Sequence, residues 1–159
     1  MKLFVTAASL ATLFLSSVQA VPVEQPEDAA TAATTVSVSY DPKYDVGGTS
    51  LSTVACSDGV NGLLTEGFTT FDSVPGFANI GGAPTIPGWN SENCGKCYQL
   101  HYKAGKIDKS IYVAAIDSAP GGFNIALGAM NKLTNGLAEQ LGRVDATYTE
   151  VDRALCGFK

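Results

Sequence analysis

Charge is scarce in this 159-residue chain: Asp, Glu, Lys and Arg together make up only 16% of it. The 10 Lys and Arg are outnumbered by 15 Asp and Glu, so the chain lacks the electropositive balance that nucleic acid binding draws on. Histidine is reduced to His101 alone, which leaves a zinc site almost nothing but cysteine to build with. No Asn-x-Ser/Thr triplet occurs, so N-glycosylation is not expected. There is no internal repeat, and beyond the first twenty residues no apolar run could span a bilayer. No metal or cofactor is called for. Glycine, by contrast, is abundant at 17 residues, which suits a turn-rich β protein whose partners are neutral rather than ionic.

The first twenty residues have the layout of a secretory signal. Lys2 supplies the positive start, Leu3 to Leu15 is nearly unbroken apolar sequence, and Val18-Gln19-Ala20 offers the small residues a signal peptidase cuts after. The expected division is a signal peptide at 1–20, a disordered leader or pro-segment at 21–35, and one domain at 36–159. The leader, VPVEQPEDAATAATT, has nothing that could pack a core. Without Lys2, 9 basic residues face 15 acids in the exported chain. Cys56, Cys94, Cys97 and Cys156 all lie downstream, and an even number of cysteines in an exported chain reads first as a disulfide framework. The close pair Cys94-Gly-Lys-Cys97 has two other readings, a thioredoxin-like redox pair and part of a zinc site. The chain shows no βαβ unit for the first, and Cys56 and Cys156 have no pair-like spacing for the second.

Short alternating segments dominate 36–159. Val36–Tyr40 puts Val36, Val38 and Tyr40 on one face. Cys97–Tyr102 and Ser110–Ile116 read as two strands of a hairpin turning at Lys103–Lys106, and Asp145–Val151 as a later strand. The Gly- and Pro-rich stretches Phe71–Phe77 and Asn79–Trp89 read as long loops, unfit for helix or central strand. Helices are expected at Ile125–Leu133, capped by Asn124, and at Asn135–Leu141, ending at Gly142. The pattern argues for a closed barrel or another β-rich α+β fold.

Asp117 is the carboxylate that stands out. It sits where the apolar strand ending at Ile116 enters the loop Ser118–Gly122, and glycines there would let a bulky polymer approach the backbone. Such a carboxylate can accept hydrogen bonds from sugar hydroxyls, or it can simply hold its own turn by accepting backbone amides. Among the aromatics, Trp89 and Tyr98 are expected in the core beside the cysteine pair. Tyr112 and Phe123, nearer Asp117, are the expected stacking surfaces for sugar rings.

Several motifs occur in a telling order: Val36-Ser-Val-Ser-Tyr-Asp41, Val54-Ala-Cys-Ser-Asp-Gly59, Ile86-Pro-Gly-Trp89, Cys94-Gly-Lys-Cys97, Ile116-Asp-Ser118, Gly121-Gly-Phe-Asn124 and Gly142-Arg-Val-Asp145. Over Val36 to Lys159 the chain closely resembles the cerato-platanin family of small secreted fungal proteins. The resemblance implies a six-stranded double-psi β-barrel, related to the barrel domain of expansins, with short helices and bridges Cys56–Cys94 and Cys97–Cys156. It also implies a non-enzymatic surface for chitin-type N-acetylglucosamine oligomers, to which Asp117, Ser118, Gly122 and Asn124 would contribute. Cellulose and plant surface receptors are further implied partners, in the fungal wall and the plant apoplast, where such a protein acts as an elicitor or virulence effector. No second acid is marked as partner to Asp117, so no hydrolysis is expected; non-hydrolytic, expansin-like loosening would have to come from differential affinity for free over bundled chains. A weak hydrolase and a surface-active, self-assembling protein are the alternatives, and a monomer is the expected state.

Overall fold

In β1 (Thr34–Tyr40) the alternation of the opening segment becomes the inside and outside of a barrel wall, with Val38 fully buried. The computed structural model describes residues 33–159, so the expected signal sequence and most of the leader lie outside the described residues. β1 begins at Thr34, two residues before the expected start of the domain. Five further strands follow: β2 (Ile80–Ala83), β3 (Cys97–Ala104), β4 (Ile107–Ser118), β5 (Phe123–Ile125) and β6 (Arg143–Val151). They close into a barrel in the order β1-β5-β2-β4-β3-β6. The β1–β5 and β2–β4 pairs are parallel and the remaining four contacts antiparallel, the mixed double-psi arrangement that the resemblance implies.

The expected hairpin is β3–β4, paired from Cys97↔Ala114 to Ala104↔Ile107. Its turn is tighter than expected: β3 runs on through Ala104, and Gly105, at φ 56°, makes the left-handed turn with Lys106. β4 explains its own unbroken apolar stretch. Val113 to Ile116 is buried throughout because the barrel interior lies on one side and helix α1 (Leu127–Thr134) packs on the strand. Inside, Tyr98, Phe123 and Tyr148 meet edge to face with ring centroids 5.3 to 5.9 Å apart, a geometry that contributes ~1 kcal/mol per pair beyond burial itself.

Three expectations need correction. The stretch Asn79–Trp89 is not all loop: Ile80–Ala83 is a fully buried strand between β4 and β5. Glycine belongs there because the neighbouring backbone comes so close; a Cβ on Gly81 would lie 2.4 Å from the Asn124 carbonyl oxygen. The first helix starts at Leu127, since Ile125 still belongs to β5, and Asn124 does not cap it. The cap is Asp45, whose two carboxylate oxygens accept the Leu127 and Gly128 amides at 2.7 and 2.9 Å. The second helix, α2 (Ala138–Leu141), is shorter than expected because Asn135 is spent ending α1 in the left-handed conformation. It does stop at Gly142.

Both bridges have the implied pairing, Cys56–Cys94 and Cys97–Cys156. They enclose 38 and 59 residues of chain, worth ~4 kcal/mol each on the chain-entropy model. Cys94 and Cys97 are therefore not partners. One pins the loop layer outside the barrel, and the other ties β3 to the C-terminal turn Arg153–Cys156.

Candidate functional site

Asp117 lies at the end of β4 with only 16% of its side chain exposed, and its oxygens are already occupied. Oδ1 accepts the amides of Ala55 at 3.0 Å and of Ser118 at 2.8 Å, and Oδ2 accepts the hydroxyl of Tyr44 at 2.9 Å. A carboxylate offers about four lone-pair sites, so few remain for a ligand. Tyr44 itself is buried against Phe71. Burial, and then the adjacent Asp117 carboxylate, push its phenol far above the ordinary tyrosine range, so it remains a donor. Lys43 completes the group: its ammonium stands 3.6 Å from Asp117 and 3.9 Å from Asp41, over the ring of Tyr44. The 3-10 turn Pro42–Asp45 positions Lys43 and Tyr44, and Asp41 caps that turn by accepting the Lys43 amide.

The other candidates follow from sheet register. A shift between Gly81 and Gly82 brings Gly82 opposite both Asp117 and Asn124; Asn124 then pairs with Ser39, and Ser39 with Arg143. With strands about 4.8 Å apart, this row runs for roughly 19 Å around the barrel wall. Ser39 donates to Asn124 Oδ1 at 3.1 Å, and Arg143 donates to Ser37. Gly122, Phe123 and Asn124 share an open depression of about 340 Å³ with Ser39, Tyr40, Arg143 and the loop residues Ala119 to Gly121. Gly122 is required where it is, at φ 130° with Ser37 O only 2.2 Å from where a Cβ would stand. Asp117 and Ser118 do not line this depression. They form the knot next to it, joined through Lys43, Asp41 and the neighbouring Tyr40.

Two aromatic expectations are reversed. Phe123 is 1% exposed and packs inside the barrel, so it has no face to offer a ligand. Trp89 is 63% exposed, because Ile86 rather than Trp89 is the buried anchor of its loop. Tyr98 is in the core as expected, and Tyr112 is exposed on β4. Lys43, Tyr44, Ser39 and Arg143 carry no sequence signal that would have joined them to Asp117; the Asp41-Pro42 turn was the only local hint.

Asp117 and Asp41 both face the single ammonium of Lys43. Among the described residues no group of His, Cys, Asp and Glu is arranged to hold a metal ion.

Residues 36–158 match the family model described as Cerato-platanin. The chain is 61% identical over 153 residues to a protein of Aspergillus fumigatus named Allergen Asp f 15, covering 96% of each. It is similar to the crystal structure of cerato-platanin 1 from M. perniciosa, with a TM-score of 0.74 and 48% identity over 76% of this chain and 98% of that one. It is likewise similar to the solution structure of the fungal elicitor Cerato-Platanin, with a TM-score of 0.68 and 41% identity over 76% of this chain and 96% of that one.

Proposed function

The chain belongs to the cerato-platanin family of secreted fungal proteins, and on that premise we propose that it is a non-enzymatic binder of neutral polysaccharide, with N-acetylglucosamine oligomers of chitin as its first ligand. The observation that carries this reading is the open depression beside Asp117. Glycines and small residues share its lining with Tyr40 and Arg143, its polar groups are the Asn124 amide, the Ser39 hydroxyl and the Arg143 guanidinium, and it is open to solvent. A chain of sugar rings fits such a surface, because hydroxyls and acetamido groups can exchange hydrogen bonds along the row from Asn124 to Arg143. Gly122 and Asn124 would touch the ligand. Asp117 and Ser118 would shape the wall next to it.

The commitment of Asp117 to three internal donors supports the non-enzymatic part of this reading. A general acid or nucleophile needs a carboxyl group free to meet the glycosidic bond. Relatives named as an allergen and an elicitor support an extracellular role in which the host recognises the protein. Chitin binding would add the capture of wall fragments, and a preference for single over bundled chains would loosen cellulose or chitin without cutting them. Isothermal titration with chitohexaose tests the reading. Binding that weakens at least fivefold in Asn124→Ala, with no new reducing ends on prolonged incubation, is the expected result; no heat of binding, or a steady release of soluble sugar, would overturn it.

A further inference from the structure

Trp89 is the most exposed ring in the described chain and also the most deliberately held. Its Nε1 donates to Asp58 Oδ1 at 2.7 Å, a charge-assisted bond that fixes the plane of the ring. That bond is the first cause of the lowered pKa of the Asp58 carboxyl. The next residue, Asn90, adopts a left-handed φ of 58°, takes the Asn61 amide on its side chain at 3.0 Å, and accepts the Asn61 side-chain amide on its carbonyl at 2.9 Å. Gly59 lies so close that a Cβ there would meet Asn90 Oδ1 at 2.5 Å. At its base the loop is tied by Asn93 to the Thr85 carbonyl, and Thr85 in turn bonds the Tyr98 hydroxyl in the barrel.

Holding a large apolar ring in water costs free energy that packing it inward would recover. Here two loops, the bridge Cys56–Cys94 and a carboxylate instead combine to keep its face outward. We infer that Trp89 is a second saccharide subsite, an aromatic platform on which the apolar face of a β-linked pyranose stacks while Asp58 and Asn61 take its hydroxyls. The occupant is argued from charge. No Lys or Arg hydrogen-bonds within this cluster to draw an anion, and Asp58 still has lone pairs beyond those used by Trp89 and Ser57. A flat ring bordered by acceptors and amides matches a sugar, with its apolar face and its rim of hydroxyls.

The subsite is also mechanically linked to the first. The Asp58 loop begins at Ala55, whose amide Asp117 accepts, and Cys56 donates its amide to Ile116. Asp117 thereby anchors the root of the loop that carries Asp58. The inference rests on the saccharide reading above, and its test separates the two.

Trp89 is the single tryptophan of the chain, so intrinsic tryptophan emission reports this subsite alone. The full secreted protein is titrated with chitohexaose and with cellohexaose while emission and heat are both recorded. The expected result is a blue shift that saturates with the heat of binding, and a roughly tenfold loss of affinity in Trp89→Ala, the equivalent of about 1.4 kcal/mol of stacking. Partial rescue is expected in Trp89→Phe, with thermal stability unchanged in both variants. Binding heat with unmoved emission and unaltered affinity in Trp89→Ala would overturn the subsite and leave the polysaccharide reading standing. No heat with either sugar would overturn both. A blue shift that follows protein concentration without sugar would assign the ring to a second copy of this chain and overturn the subsite.

Discussion

Replacing Asp117 with alanine should cost this fold far more than the loss of an exposed carboxylate. Three donors converge on it, and the variant leaves all three without an acceptor. The Tyr44 hydroxyl is the worst placed, because the residue is almost wholly buried; an orphaned buried hydroxyl costs ~1 to 3 kcal/mol. The Ala55 and Ser118 amides lose charge-assisted bonds but gain partial access to water through the space vacated, so about 1 kcal/mol each is reasonable. The total is ~3 to 5 kcal/mol, which for a domain of this size lowers Tm by roughly 12 to 20 °C. Thermal and guanidinium unfolding with the bridges intact would measure it. A double-mutant cycle with Tyr44→Phe isolates the central bond. Removing the hydroxyl should cost about 1 kcal/mol in the native background and, when Asp117 is already alanine and the hydroxyl an orphan, lie between no cost and a gain of ~1 kcal/mol, a coupling of ~1 to 2 kcal/mol. Asp117→Ala within ~1 kcal/mol of the parent, or equal Tyr44→Phe costs in both backgrounds, would refute the reasoning. Loss of sugar affinity in Asp117→Ala alone is therefore no proof that Asp117 touches sugar.

Further outcomes are expected elsewhere in the molecule. Asp45→Ala removes the remote cap of α1 and should lower stability by ~1 to 2 kcal/mol in chemical unfolding, with part of the loss recovered by Asp45→Asn. Gly81→Ala forces a methyl group into the Asn124 carbonyl and should cost ~3 kcal/mol or more, read as loss of folded protein or a collapsed Tm, whereas Gly88→Ala, which meets nothing within 4 Å, should be silent. Burial raises the phenols of both Tyr44 and Tyr98 above the ordinary tyrosine range. The unfolded chain releases those protons near pH 10 and the folded chain does not, so stability holds below about pH 10 and falls above it by up to ~1.4 kcal/mol per pH unit per tyrosine. Unfolding titrations between pH 8 and 12 should show that fall, shallower in Tyr44→Phe.

What could be read along the chain was whatever has a local period. Val36–Tyr40, Cys97–Tyr102, Ser110–Ile116 and Asp145–Val151 alternate well enough to be recognised as strands, and each is one, with ends extended by pairing. Ile80–Ala83, half of it glycine, and the three-residue Phe123–Ile125 are too short to show a period, and only pairing with their neighbours makes strands of them. Asp117 could be singled out because it ends an apolar run. Its partners could not, since Ala55 and Tyr44 are 62 and 73 residues away in sequence. The cap of α1 was hidden for the same reason, with 82 residues between Asp45 and Leu127. Trp89 was misplaced by composition: a ring near two cysteines usually packs inward, but here Ile86 fills the inward position and the hydrogen bond to Asp58, 31 residues away, holds the ring outside.

Closure of the sheet bears on how copies of this protein could gather at a surface. Every strand from β1 to β6 has a neighbour on both sides, so no strand is an open edge along its whole length, and backbone paired on one side only is confined to strand ends that outrun a neighbour, residues 107–113 of β4 foremost. Films or clusters built from intact barrels would be held chiefly by side chains and loop tips, where Val60, Trp89 and Leu155 stand exposed. Such assemblies would dissolve back to the native fold and give no 4.7 to 4.8 Å cross-β reflection. A preparation that does give it has opened its barrels first.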